Sequence, residues 1–299
     1  MKQSTKALLA VFCGNSIFGF SFLASRLILS RTSVFVLLSS RFLLAFLIMS
    51  LLVLTGVCKL NLRGKNVWGV ILLGMCQPVI YFICESYGIS LTNSSFSGTL
   101  IAMVPIFAFF FAALMLGEKF KLSQLMWAVC SVAGVVIISL DNSDDSPVTI
   151  LGIILLLGAV LTGALFNVIS KKTSSEFTPF ERTYVMFALG SAIFTICALF
   201  ETSGRLPVIL AELIGDVYFT VPLIFLSLLS SVVAFLLLNY ATTYIPVRQT
   251  SIFSCLTTVV SIFAGIIFLH EPFGGARQVI GSALILIGVY MVSIAGDKK

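Results

Sequence analysis

The chain has 299 residues, of which 59% are hydrophobic and 10% charged, and its mean hydropathy is +1.13. A soluble domain carries about a quarter charged residues, so most of this surface faces something other than water. The apolar runs are long and continuous, which excludes the alternating pattern of an outer-membrane barrel and indicates an all-α polytopic membrane protein.

Ten apolar spans follow one another at roughly 7–30, 33–57, 67–91, 95–116, 122–140, 148–170, 183–203, 217–244, 248–269 and 276–296. Lys2 and Lys6 precede the first span, but the run from Ala7 is longer than the core of a signal peptide, so it reads as an uncleaved transmembrane helix. Within it Asn15 lies near mid-depth, with Phe18 and Phe22 at helical spacings. Asn15 is placed either to hydrogen-bond a solute or to join a neighbouring helix. The second span holds Arg41, about eight residues or ~12 Å from its outer end.

The third span carries Gln77, Tyr81 and Glu85, spaced i, i+4 and i+8, which predicts one shared face. Glu85 is about 19 residues, or ~28 Å, from the start of the span, in the outer part of the membrane. A carboxylate there is costly and needs a cavity or a partner. Two roles stay open. Glu85 binds an amino-bearing solute or couples protons, or it pairs with Arg41 to fasten helices. The fourth span has Pro105 in its middle, which predicts a kink, and Phe107, Phe109, Phe110 and Phe111, which must face several directions.

Sliding the chain on itself by 153 positions superposes Tyr87 on Tyr240, Ala112 on Gly265, Leu116 on Leu269 and Glu118 on Glu271. This reads as a duplication, residues 1–141 and 148–299, joined by the polar segment Asp141–Pro147. Glu85 falls on Leu238, beside Asn239 and Tyr240, so the polar groups of the two copies differ. Glu118 and Glu271 each follow one span and open the next, where a carboxylate suits a helix N-terminus. Gly117 suits the end of the preceding helix, and Pro272 the start of the following one.

With the N-terminus inside, thirteen basic residues, Arg182 among them, fall on the cytoplasmic side and four outside. That asymmetry puts both termini in the cytoplasm and explains most of the net charge of +6 without nucleic acid. Five spans per copy then make the repeats inverted, the architecture of secondary transporters.

The stretches P-I-F-A-F-F-F-A-A-L-M-L-G-E at 105–118 and S-I-F-A-G-I-I-F-L-H-E-P at 261–272 carry a family resemblance. So do S-S-R-F at 39–42, G-V-V-I at 134–137 and G-V-Y at 288–290. Over its whole length the chain resembles the EamA-type transporters of the drug/metabolite transporter superfamily. The resemblance implies ten helices, alternating access and a central cavity lined by spans 1–4 and 6–9. Two departures are visible: His270 stands where the first copy has Gly117, and Thr258 where it has Pro105.

The expected activity is transport of a small organic solute, an amino acid, amine or related metabolite, across the cell membrane. The residues expected to bind or couple are Glu85, Tyr81, Gln77, Arg41, Asn15, Phe22, Asn239 and Tyr240. The expected partners are the solute, the lipid bilayer and protons as a coupling ion, with the protein a monomer or homodimer. Seven cysteines without a C-x-x-C pair, and a single His, support neither a disulfide framework nor a zinc site, and no cofactor is expected. The competing reading is a membrane-embedded enzyme acting on a lipid-linked substrate. It would need clustered polar groups at one membrane face, whereas the sole His sits at a helix boundary and Glu85 has no second intramembrane acid.

Overall fold

A computed structural model describes residues 3–91, 100–101, 103–119, 121–139, 149–269 and 275–295. Glu271, His270 and the segment 141–147 lie outside them, as do the side chains of Phe22 and Arg26. The described residues form helices and their connections. Seven helical stretches among them are long and apolar enough to cross a membrane, and shorter apolar helices accompany them. The protein is a multi-pass integral membrane protein.

The helices are α1 (Gln3–Leu29), α2 (Val34–Leu54), α3 (Trp68–Gly74), α4 (Tyr81–Ser90), α5 (Val104–Leu116) and α6 (Leu122–Ser139). After the midpoint come α7 (Ile150–Thr173), α8 (Pro179–Glu201) and α9 (Leu206–Leu213). The chain continues through α10 (Val217–Tyr244), α11 (Val247–Ile252), α12 (Ser254–Leu269) and α13 (Gly275–Ala295). Short polar residues start several of them. Ser33, Thr149 and Asp216 each accept a backbone N–H of the first turn, taking up a donor that has no partner within the helix.

Two expected spans are divided. Between α3 and α4 the backbone of Gln77 is extended, φ −148° and ψ 120°, just before Pro78, which has no N–H to give. The span near 248–269 is split at Phe253 into α11 and α12. Pro105 also differs from expectation. It occupies the first turn of α5, where the missing N–H costs nothing, and so causes no mid-helix kink.

Packing repeats between the halves. α1 lies along α10 and α12, while α7 lies along α4 and α5; α2 pairs with α8, and α6 with α13. Taking the long helices of each half in order, exchanging the halves returns the same set of pairs. The α6–α13 pair approaches so closely that a Cβ on Gly134 would sit 2.6 Å from the Gly281 carbonyl. Only a glycine fits there.

The apolar interior is rich in phenylalanine. Phe42 packs against Phe187 and Phe194 with ring centres 5.5 and 5.4 Å apart, and Phe187 packs edge-on to Phe235 at 5.5 Å. The four-phenylalanine run of α5 does face several ways: Phe109 is 1% exposed and Phe110 60%.

The bundle has two polar ends. One, the Glu118 end, holds the connections at 55–67, 117–119, 174–178 and 245–246. The other, the Asp216 end, holds Arg31 paired with Asp216, and Thr149 bonded to Leu91.

Candidate functional site

Two buried polar groups lie along the bundle, with the phenylalanines between them. The first is built on α2, α4 and α10. Glu85 and Tyr81 are one helical turn apart in α4, and the Tyr81 hydroxyl donates to Glu85 Oε1 at 2.9 Å. The expected three-residue face ends there: the extended backbone at Gln77 breaks the periodicity, so Gln77 does not continue the Tyr81–Glu85 row. The Tyr81 ring lies against Gly163 of α7, where a Cβ would come within 3.1 Å of it.

Arg41 reaches from α2 to α10. Its Nε donates to Ser231 Oγ at 2.8 Å and its Nη2 to Ser230 Oγ at 3.0 Å. The guanidinium also lies 5.0 Å from the centre of the Phe82 ring, which is itself 5.3 Å from Tyr81. Arg41 is 3% exposed and Glu85 8%. Among the described residues the ion pairs within 4.0 Å are Arg31–Asp216, Lys65–Glu181 and Arg248–Glu118. Arg41 and Glu85 are neighbours through Phe82 and Tyr81 without touching as a pair.

Ser230 and Ser231 sit in a stretch of α10, Phe225–Val233, that winds more loosely than an α-helix; the Ala234 N–H bonds to Leu229, five residues back. Such turns free backbone geometry locally and recur at functional sites. Shifted by 153 residues, the Gln77 break falls on Ser230, within this stretch. Both copies are therefore irregular at corresponding places.

The second group is centred on Arg182, which is fully buried. Its Nη1 donates to the carbonyl and hydroxyl of Ser170, the hydroxyl at 2.8 Å, and its Nη2 to the Asn239 carbonyl at 2.6 Å and Thr243 Oγ1 at 2.5 Å. Asn239 also accepts from Ser170 Oγ at 2.7 Å and donates to Thr183 Oγ1 at 2.9 Å. Asn239 therefore belongs to this network and not to the Glu85 group. α7 measures the distance between them: Tyr81 faces Gly163 and Asn239 faces Ser170, seven residues or about 10 Å further along.

The remaining sequence candidates are dispersed. Asn15 donates to the Val11 carbonyl at 2.8 Å, and Thr257 of α12 donates to the Asn15 carbonyl at 3.3 Å, so Asn15 joins α1 to α12. Tyr240 stacks on Tyr244 with ring centres 4.8 Å apart.

Three features escape the sequence reading, and the first two have a signal in it. A span starting at 183 leaves Arg182 as a cytoplasmic loop charge. The box Thr178-Pro179-Phe180-Glu181 is in fact a reciprocal helix start, with Thr178 and Glu181 capping each other, and it puts Arg182 inside α8. Ser230 and Ser231 interrupt an otherwise apolar run, which marks interhelical hydrogen bonding. Glu118 does not start α6; it follows the left-handed Gly117, φ +63°, and caps α11 instead, accepting the Val247 N–H at 3.1 Å.

Comparison with known proteins follows the same lines. The profile of the EamA-like transporter family matches the chain twice, at residues 5–140 and 150–294. The uncharacterized transporter YcxC of Bacillus subtilis (strain 168) is 30% identical, covering 99% of this chain and 96% of its own. An uncharacterized transporter of Archaeoglobus fulgidus is 26% identical, covering 92% and 94%. A probable terminal-alkyne amino-acid exporter of Streptantibioticus cattleyicolor is 23% identical over 77% of this chain and 74% of its own. A solved crystal structure with 17% identity superposes with a TM-score of 0.77, covering 98% of both chains, and shares the fold.

Proposed function

The chain belongs to the EamA-like transporter family, and we propose that it is a secondary transporter of a small amino-bearing organic solute: an amino acid, an amine or a related metabolite. It works in the cell membrane, with ten helices in two inverted five-helix repeats and both termini cytoplasmic. The exchange of helix partners between the halves supports the inversion, because an odd number of spans per repeat reverses the second. It is a carrier and not an enzyme.

The observation that carries this reading is Glu85. It is buried in a helix, is bonded to Tyr81, and has Arg41 near but not in contact. A carboxylate so placed is available to a cationic group or a proton. Arg41, the Phe82 ring and Tyr81 form the surroundings of the bound solute. The amino-acid exporter among the relatives is in keeping with an amino-bearing substrate.

The test is flux into proteoliposomes containing wild type or Glu85→Gln. The variant should elute and melt as wild type does, while flux falls by about tenfold or more, the worth of a lost charge-assisted contact. Undiminished flux would remove Glu85 from the mechanism. Chemical change of the solute in the vesicles would point to the enzyme reading instead.

A further inference from the structure

Buried polar contacts at the Glu118 end are of two kinds. Those of Arg182 run to Ser170, Asn239 and Thr243, all in the second copy. Those of Glu118 cross from the first copy to the second, as do those of Glu181, which accepts from Lys65 and from the Asn61 N–H.

Local sequence forces the crossing. Gly117 ends α5 in the left-handed region, and the N–H groups of Gly117 and Glu118 both return to the Ala112 carbonyl. That fixes the direction in which Glu118 leaves the helix. On the other side, α11 begins after Pro246, whose backbone is extended and whose side chain offers no cap. The N–H groups of Gln249 and Thr250 return to the Pro246 carbonyl, while that of Val247, at the first position, has no partner within the helix. Glu118 Oε1 supplies one, at 3.1 Å from the Val247 nitrogen. Val247 itself is fully buried, in one apolar cluster with Val104, Ala108 and Ala112 of α5.

The contact is incomplete, and the Arg182 group, whose Nε is also buried without a partner, has more bonds to set against that. Glu118 Oε2 is buried without a hydrogen-bond partner and lies 3.9 Å from Arg248 Nη1. That nitrogen donates to the Lys119 carbonyl at 2.9 Å instead, while Arg248 Nε is buried and unsatisfied. Unsatisfied buried groups offset part of what the bond contributes. The seam is therefore held and easily parted.

We propose that Glu118 is a latch between the two copies: it caps α11 in trans, and the α5–α11 seam is where the Glu118 end opens, with the Arg182 group moving as one body. Its part in transport rests on the alternating-access reading above, but the latch is measured without a transport assay.

Nitroxides attached through unnatural amino acids at Leu122 and Tyr244, both exposed and on opposite copies, report the seam by electron–electron distance measurement in nanodiscs. Glu118→Ala should raise the population at long distance about tenfold, in line with loss of a charge-assisted bond. Val247→Pro removes the donor N–H at a position that tolerates proline, and should produce the same shift. The double variant should shift no further than either alone. Glu118→Gln keeps an oxygen that accepts the same N–H and should shift less. Thr243→Val, within the second copy, should lower Tm without adding a long-distance population. An unchanged distance distribution in folded Glu118→Ala and Val247→Pro overturns the latch, and so does full additivity of the two.

Discussion

Among the described residues two arginines are buried, and their surroundings are opposites. Arg182 is packed among carbonyls and hydroxyls of its own half, with the amide of Asn239 closing the network. Arg41 spans the halves, leans on two serines of a loosened turn and faces an aromatic ring. The first is a rivet: its bonds run to groups that also bond one another. The second is a charge held ready, with a carboxylate nearby that it does not neutralise by contact. A buried charge is costly in lipid, so a cell keeps one only for structure or for use. The partners distinguish the two cases.

The sharpest way to break this contrast is at the rivet. Arg182→Met should remove several buried charge-assisted hydrogen bonds at once and cost about 3–5 kcal/mol, read as aggregation or a large fall in Tm in detergent. A well-folded Arg182→Met protein would show the network to be dispensable. In the other group, Tyr81→Phe should keep the fold while weakening the hold on Glu85; about fivefold lower flux is expected, the worth of roughly one hydrogen bond. Equal loss of stability and flux would place Tyr81 with the structural residues.

Smaller effects test the support of Arg41. Ser231→Ala should cost about 1 kcal/mol in unfolding measurements. Its flux should change in relative rates among solutes more than in overall level. The smallest effect belongs to the Asp216 end. Arg31→Gln removes an ion pair whose side chains are 37% and 28% exposed, and should cost less than about 1 kcal/mol, vanishing in high salt. A loss that persists in high salt would move that pair into the class of Arg182.

Most of the architecture was legible in the chain itself, because apolar length and charge placement are dictated by the bilayer. The duplication and the isolation of Glu85 were also plain. What the periodicity could not convey was where a helix stops being regular. The row Gln77, Tyr81, Glu85 looked continuous because spacing alone assumes an unbroken helix, and the Gln77 backbone departs from it. Arg182 was hidden for a related reason: hydropathy starts a span past the last charge, at 183, whereas the helix starts at Pro179, four residues earlier and just after its Thr178 cap. Glu118 was rightly matched to a helix N-terminus, but to the wrong one, since a contact between the two copies leaves no trace in local spacing.

The loosened stretch of α10 has a consequence for phase. Each residue of an α-helix turns the chain by about 100°, so one residue accommodated in a wider turn rotates everything beyond it. In α10 the residues before Ala234 address Arg41, and those after it address Arg182. Remove one residue from 225–233 and the cap at Asp216 would still hold, but Asn239 would swing away from its partners. The irregular turn sets the angle at which one helix serves two neighbours that lie in different directions.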